Sequence, residues 1–212
     1  MKKYIAAEIL GTFIIVFIGT GAMVLDESTT GSLTHFGVCL LWGIAVAFAI
    51  LSAGRIAESH FNPAVTLALV IAGKFSAKRS IEHIIAQIVG ALIGSFILYL
   101  LFPKNSTLGA TLPAVSIWAA AGVEIVISFM LMTSIVLSEN LKSRITPAII
   151  IGGAVFILAY FAGPLTGASM NPARSIGPAL ISGHTEYLWV YLVAPIIGML
   201  LAVPMYRFSK PK

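Results

Sequence analysis

Gly167-Ala168-Ser169-Met170-Asn171-Pro172-Ala173-Arg174 is the stretch whose reading decides the fold. An earlier stretch, His60-Phe61-Asn62-Pro63-Ala64, carries the same Asn-Pro-Ala core. Asn-Pro-Ala reads as the start of a helix. Asn is a favoured N-cap, and Pro suits the first helical position because the N–H it lacks has no helical partner there. The apolar segment behind each motif is short. Residues 62–72 number 11, roughly 16 Å at about 1.5 Å rise each. The hydrocarbon core of a bilayer is about 30 Å thick, so each segment reaches half way. Two half-helices with polar caps, one per half of the chain, imply two caps that meet at the membrane midplane.

The 212 residues are 58% hydrophobic and only 10% charged, with a mean hydropathy of +1.00. Soluble domains carry about 25% charged residues, so the chain reads as an integral membrane protein. Its formal net charge of +5 would suit a nucleic-acid binder. The basic residues instead sit in short clusters between apolar runs, the pattern of cytoplasmic loops, and no nucleic-acid partner is expected. Cys39 is the single cysteine and lies inside an apolar run, which excludes a disulfide framework. Met1-Lys2-Lys3 ahead of an apolar run resembles a signal peptide. The run over 9–25 is long for one, and Asp26 and Glu27 follow without a small-residue cleavage site. It reads as a retained first span.

Six spans are predicted, near 4–25, 35–53, 82–102, 117–137, 146–162 and 186–206, with half-helices at 62–72 and 171–181. Each half of the chain has two spans, a short piece, then a third span. Residues 103–113 are the linker, and the repeats cover 1–103 and 114–212 of one domain. Local matches support the repeat: Glu8-Ile9 with Glu124-Ile125, Phe13 with Phe129, Thr12 with Ser128, and Gly90 and Gly94 with Ala194 and Gly198. Three spans is an odd number, so the second copy starts on the other side. Such inverted repeats place a site between them at the midplane. With the N-terminus in the cytoplasm, Lys2, Lys3, Arg55, Lys74, Lys78, Arg79, Lys142, Arg144, Arg207, Lys210 and Lys212 are all inside. Only Lys104 and Arg174, of 13 basic residues, lie elsewhere, and this asymmetry sets the topology.

A cation within a membrane segment costs about 2.5–3.5 kcal/mol on insertion scales. Arg174 is therefore either a loop residue snorkelling to headgroups or a fixed cation in an aqueous path, donating to a permeant oxygen and repelling cations. Asn62 and Asn171 cap their half-helices through the side-chain oxygen, which leaves each NH2 as a donor to a passing molecule. The positive ends of two helix dipoles add a barrier to protons and cations. Glu8 and Glu124 are carboxylates within spans. They are interfacial, or accept from unpaired backbone N–H groups in the dipping loops, or relay protons. His35, His60, His83 and His184 are scattered in sequence without ligand spacing, so no metal site is expected. Nothing resembles a nucleophile motif or a phosphate loop, and no enzyme activity or cofactor is expected.

At His-Phe-Asn-Pro-Ala-Val-Thr and Gly-Ala-Ser-Met-Asn-Pro-Ala-Arg-Ser the chain resembles the aquaporin, or major intrinsic protein, family, and the likeness runs over nearly its whole length. The dipole barrier is the established one for such pores. The resemblance implies six spans, two half-helices, a pore in each subunit and a homotetramer. It puts Asn62, Pro63, Ala64, Asn171, Pro172 and Ala173 in the pore centre. It puts a filter on Trp42, Ala159, Ala168 and Arg174, and pore-lining carbonyls on Ser59, His60, Gly167, Ala168 and Ser169. Water-selective members have Phe and His where this chain has Trp42 and Ala159. The resulting filter is wider and more amphipathic, similar to that of nodulin-26-like members and suited to glycerol or similar neutral solutes. The glycerol-facilitator branch has Asp after the Arg, where this chain has Ser175. Glu58 stands where the family has Gly, which implies either a distorted carbonyl ladder or a gate paired with Arg55.

The resemblance thus implies a passive channel for water and small uncharged solutes in a plasma or inner cell membrane, with both termini cytoplasmic. A water-selective channel, an ion-coupled secondary transporter and a structural junction protein are the alternatives. The transporter wants a titratable pair near Asn62 or Asn171, and the sequence offers none.

Overall fold

A computed structural model describes residues 2–143 and 145–207. Arg144, Lys210 and Lys212, which entered the charge argument, lie outside the described residues, as does the Arg207 side chain. Among the described residues the secondary structure is entirely helical. Six helices are long and apolar enough to cross a membrane. These are α1 (Lys3–Ser28), α2 (Thr34–Ser52), α4 (Ala77–Leu101), α5 (Ile117–Ser138), α6 (Ile145–Thr166) and α8 (Leu188–Ala202), the last continued by a 3-10 stretch at Val203–Arg207. Two are short: α3 (Pro63–Ile71), of 9 residues, and α7 (Pro172–Ser182), of 11.

Packing repeats across the two halves. α1 lies along α4 as α5 lies along α8, while α2 meets its counterpart α6. α3 packs on α8 of the other half, and α7 packs on α4. Exchanging the halves maps each contact onto another. The closest approaches use glycine for its missing side chain. A methyl at Gly90 would collide with the carbonyl oxygen of Ile9, and one at Gly198 with that of Ile125. Ile9 and Ile125 follow the paired carboxylates Glu8 and Glu124. Gly90 is therefore the counterpart of Gly198, one helical turn away from the match with Ala194 read from the sequence. Small residues recur every four positions on such a face, and the pattern alone leaves the turn undecided.

Two helix boundaries also move. α4 begins at Ala77, five residues ahead of the predicted 82, because its polar first turns extend the helix beyond the apolar part that hydropathy detects. α6 runs to Thr166, past the predicted end at 162 and through Pro164. Proline removes the N–H that would bond the carbonyl four residues earlier. That carbonyl belongs to Tyr160, and His35 Nε2 lies 2.8 Å from it. A donor from α2 replaces the missing bond, so the helix continues.

Candidate functional site: two crossed helix caps and the cavity beside them

Asn62 and Asn171 have extended backbones, φ −154° and −151°, and each is followed by Pro at the first helical position. Asn62 Oδ1 accepts from Ala64 N at 2.9 Å. Asn171 Oδ1 accepts from Ala173 N at 3.0 Å and Arg174 N at 3.4 Å. The amide nitrogens cross between halves. Asn62 Nδ2 donates to the Met170 carbonyl at 2.8 Å, and Asn171 Nδ2 donates to the Phe61 carbonyl at 2.9 Å. The sequence reading left the whole NH2 group for a ligand. One hydrogen of each is instead spent on tying the halves together, and one remains.

Phe61 and Met170, just before the two asparagines, both have positive φ, 57° and 54°. Bulky residues rarely adopt this left-handed region unless their surroundings hold them there. Here the Glu carboxylates do the holding. Glu8 Oε1 accepts from His60 N and Oε2 from Phe61 N, both at 2.7 Å. Glu124 Oε1 accepts from Ser169 N at 2.8 Å and Oε2 from Met170 N at 3.0 Å. Both carboxylates are fully buried. In each half, a buried Glu takes the N–H of the strained residue and the opposite Asn takes its carbonyl. Side chains complete each cluster. Gln87 Nε2 bonds Glu8 and Thr66, and Thr166 Oγ1 bonds Glu124 at 2.8 Å.

A cavity of about 250 Å³ runs past both caps. Asn62, Asn171, Ser59 and His60 line it, as do Gly167, Ala168 and Ser169. Trp42, Ala159 and Arg174 line it as well. Pro63, Ala64, Pro172 and Ala173 are buried behind the caps as the first residues of α3 and α7. The rest of the wall is largely aliphatic, with Ile15, Val65, Leu131 and Val155 among its members.

Arg174 is 1% exposed. Its guanidinium stacks over Trp42 at 4.6 Å from the ring centroid, a geometry that favours a cation over an aromatic face. Nη1 donates to the Gly109 carbonyl at 2.8 Å, and Nη2 lies 3.1 Å from Met23 Sδ. Gly109 is a functional position that sequence reasoning left inside a linker. The linker is anchored where Asn105 and Thr107 bond Glu27. It then turns inward through Leu108 and Gly109, whose φ of 49° and 70° are both left-handed. A Gly two residues after the Asn105-Ser106-Thr107 run in a predicted loop is the available signal. Further in, Thr111 donates to Ser175, and Ser169 Oγ lies 2.6 Å from Ser175 Oγ and 3.1 Å from the Asn171 carbonyl. This hydroxyl chain braces the second loop.

Two expectations are corrected. Glu58 does not pair with Arg55. Its carboxylate lies 3.7 Å from Arg79, with both side chains about half exposed. Its backbone is not among the left-handed residues, so no glycine is required there. The histidines are also not all scattered. His60, His83 and Glu8 bring one ligand atom each to within 4.8 Å of one another.

The sequence model of the major intrinsic protein family matches residues 1–206. The chain belongs to the major intrinsic protein family. Among curated relatives it is similar to aquaporin NIP1-2 of Oryza sativa subsp. japonica, 40% identical over 183 residues, which span 82% of this chain and 60% of that protein. Putative aquaporin NIP4-1 of Arabidopsis thaliana is also 40% identical, over 84% of this chain and 64% of its own length. The chain thus spans about three fifths of the length of such relatives. Its fold is similar to that of the aquaglyceroporin from Plasmodium falciparum, with a TM-score of 0.89 and 26% identity over 96% of this chain and 94% of that one. This major intrinsic protein is a multi-pass membrane protein of six transmembrane helices and two half-helices, arranged as two inverted repeats.

Proposed function

We propose that the protein is a passive channel for water and small uncharged solutes, glycerol among them, that excludes ions and protons. The observation that carries this reading is the single cavity passing both Asn caps and bounded by Trp42, Ala159, Ala168 and Arg174. The remaining N–H of each Asn and the free N–H groups of Arg174 serve as donors to a permeant oxygen. Trp42 and the aliphatic wall accept the carbon side of a polyol. Carbonyls of Ser59 and His60, and of Gly167, Ala168 and Ser169, provide the acceptors. Two alanines in the filter leave room that a His and a bulkier residue would fill. Relatives named as aquaporins and an aquaglyceroporin fold neighbour support the same reading. Arg174 and the two helix N-termini repel cations and protons.

The repeats correspond to 1–103 and 114–212, joined by 103–113. Glu8 and Glu124 support the loops and take no part in proton relay, since backbone N–H groups occupy both. The positive-inside pattern supports cytoplasmic termini in a plasma or inner cell membrane. The family likeness supports a homotetramer. Light scattering of proteoliposomes tests the function. Rapid shrinkage in sucrose followed by rapid reswelling in glycerol is expected. Water flux without glycerol reswelling would leave a water-selective channel, and gradient-driven, saturable accumulation would favour a transporter.

A further inference from the structure

Glu8, His60 and His83 form a cluster with lone pairs that the permeation reading leaves unused. His83 is fully buried on α4, between Tyr4, stacked at 4.9 Å, and Phe75, edge-on at 4.7 Å. Its Nδ1 sits 3.0 Å from the Arg79 carbonyl. A carbonyl only accepts, so Nδ1 carries the hydrogen and the neutral ring presents a lone pair at Nε2. That nitrogen has no hydrogen-bond partner, and Glu8 Oε1 lies 3.8 Å away. Two acceptors thus face each other in a buried site.

His60 can present a nitrogen in the same way. Its Nδ1 is 3.1 Å from Thr66 Oγ1. When the single hydrogen of the Thr66 hydroxyl goes to the Asn62 carbonyl, 3.0 Å away, His60 Nδ1 is the donor. Nε2 of His60 is then a second bare lone pair. Glu8 Oε1 accepts only the His60 N–H, and one of its lone pairs is unused. Three acceptors, with ligand atoms within 4.8 Å of one another, converge on one buried point, the arrangement that a metal cation accepts as ligands.

We propose that Glu8, His60 and His83 bind one divalent transition-metal ion of the zinc or cobalt type, and that its binding narrows the cavity beside His60. Two imidazoles and a carboxylate are a standard donor set for such ions, leaving a fourth position for water. Each donor is already oriented by an outer partner, the Arg79 carbonyl, the Thr66 hydroxyl, and the His60 and Phe61 N–H groups, as ligands at built sites are. Ligands held at about 2.1 Å around a tetrahedral ion lie roughly 3.4 Å apart. The His83–Glu8 distance of 3.8 Å is near this, and a small shift of the His60 side chain closes the remaining separations, which are at most 4.8 Å. Glu58 and Arg79, the exposed pair above the site, leave it without a second net charge. Of the three ligands, His60 lines the cavity, so the ion reaches the site from the first-loop end of the cavity without passing the caps or Arg174.

The test uses untagged, full-length protein in detergent, stripped with a chelator and titrated with Co2+ alone. The expected result is the visible absorption of four-coordinate cobalt, saturating at one ion per chain and abolished by Zn2+. His83→Phe keeps the stacking on Tyr4 and Phe75 and removes both nitrogens. It is expected to weaken cobalt binding at least about tenfold. No cobalt band in the unaltered protein overturns the site, as does unchanged affinity in H83F. Should H83F fail to fold, H83Q is read in the same assay. In proteoliposomes, Zn2+ is expected to slow shrinkage of the unaltered protein and not of H83F. This arm rests on the channel reading. Cobalt binding with zinc-insensitive flux would overturn the narrowing alone, and a protein without flux would overturn the channel while cobalt still decides the site.

Discussion

The two dipping loops use one device and finish it with different chemistry. In each, a buried carboxylate and the opposite asparagine hold a left-handed residue, Phe61 or Met170. Around the first loop the remaining partners are Gln87, His60, His83 and one hydroxyl, Thr66, so ring and amide groups predominate. Around the second they are Thr166, Ser169, Ser175 and the buried cation Arg174. The shared part holds the backbone. The part that differs decides what each end of the cavity touches. Symmetry here belongs to the support, and the proposed selectivity rests on the departures from it.

The largest effect should come from breaking the shared device. Glu8→Gln or Glu124→Gln replaces an acceptor by a donor against buried N–H groups. Disrupting a buried charged network costs about 3–5 kcal/mol, so folded yield and Tm should fall sharply for both. Glu124→Gln should fall further, because it also removes the negative charge from the half that buries Arg174. Equal losses, measured by fluorescence-detected melting in detergent, would erase that distinction.

Next come changes to the part that differs. Ala159→His should cut glycerol flux by about tenfold or more, since a filled pocket discriminates on that scale, with a smaller loss of water flux in the same proteoliposomes. Arg174→Ala should remove the fixed cation and the Trp42 and Gly109 contacts. A measurable proton or cation leak under an imposed potential is expected.

Two smaller changes sharpen the repeat alignment. Gly90→Ala and Gly198→Ala should each destabilise by about 1–3 kcal/mol through overpacking against the Ile9 and Ile125 carbonyls. Ala194→Gly should show no comparable effect if Gly198 is the true counterpart. Smallest of all, Glu58→Gln removes an exposed ion pair with Arg79. Such pairs are worth about 0–1 kcal/mol, so Tm and flux should be nearly unchanged.

What was legible in the sequence was local or periodic. Asn-Pro-Ala announces a helix start within three residues, and apolar runs announce spans by their length. The six long helices and two half-helices therefore followed from pattern. Contacts made through space did not. Gly109 meets Arg174 across 65 positions, and no spacing rule connects a linker glycine to a helix arginine. His60 and His83 sit on different elements and approach only after α3 and α4 have packed. The extension of α6 through Pro164 depends on a histidine from α2. The one-turn error in matching Gly90 arose because small residues repeat every turn on a packed face, and only the carbonyl opposite breaks the tie.

The crossed asparagine bonds have a consequence for biogenesis. Asn62 leaves the ribosome more than a hundred residues before the carbonyl it will meet, since its partner Met170 lies 108 positions later. During that interval the first half-helix has no lock, and its cap must be sheltered by lipid headgroups, water or the insertion machinery. The centre of the molecule thus cannot close before Met170 has been made, and a nascent chain truncated ahead of it lacks that partner.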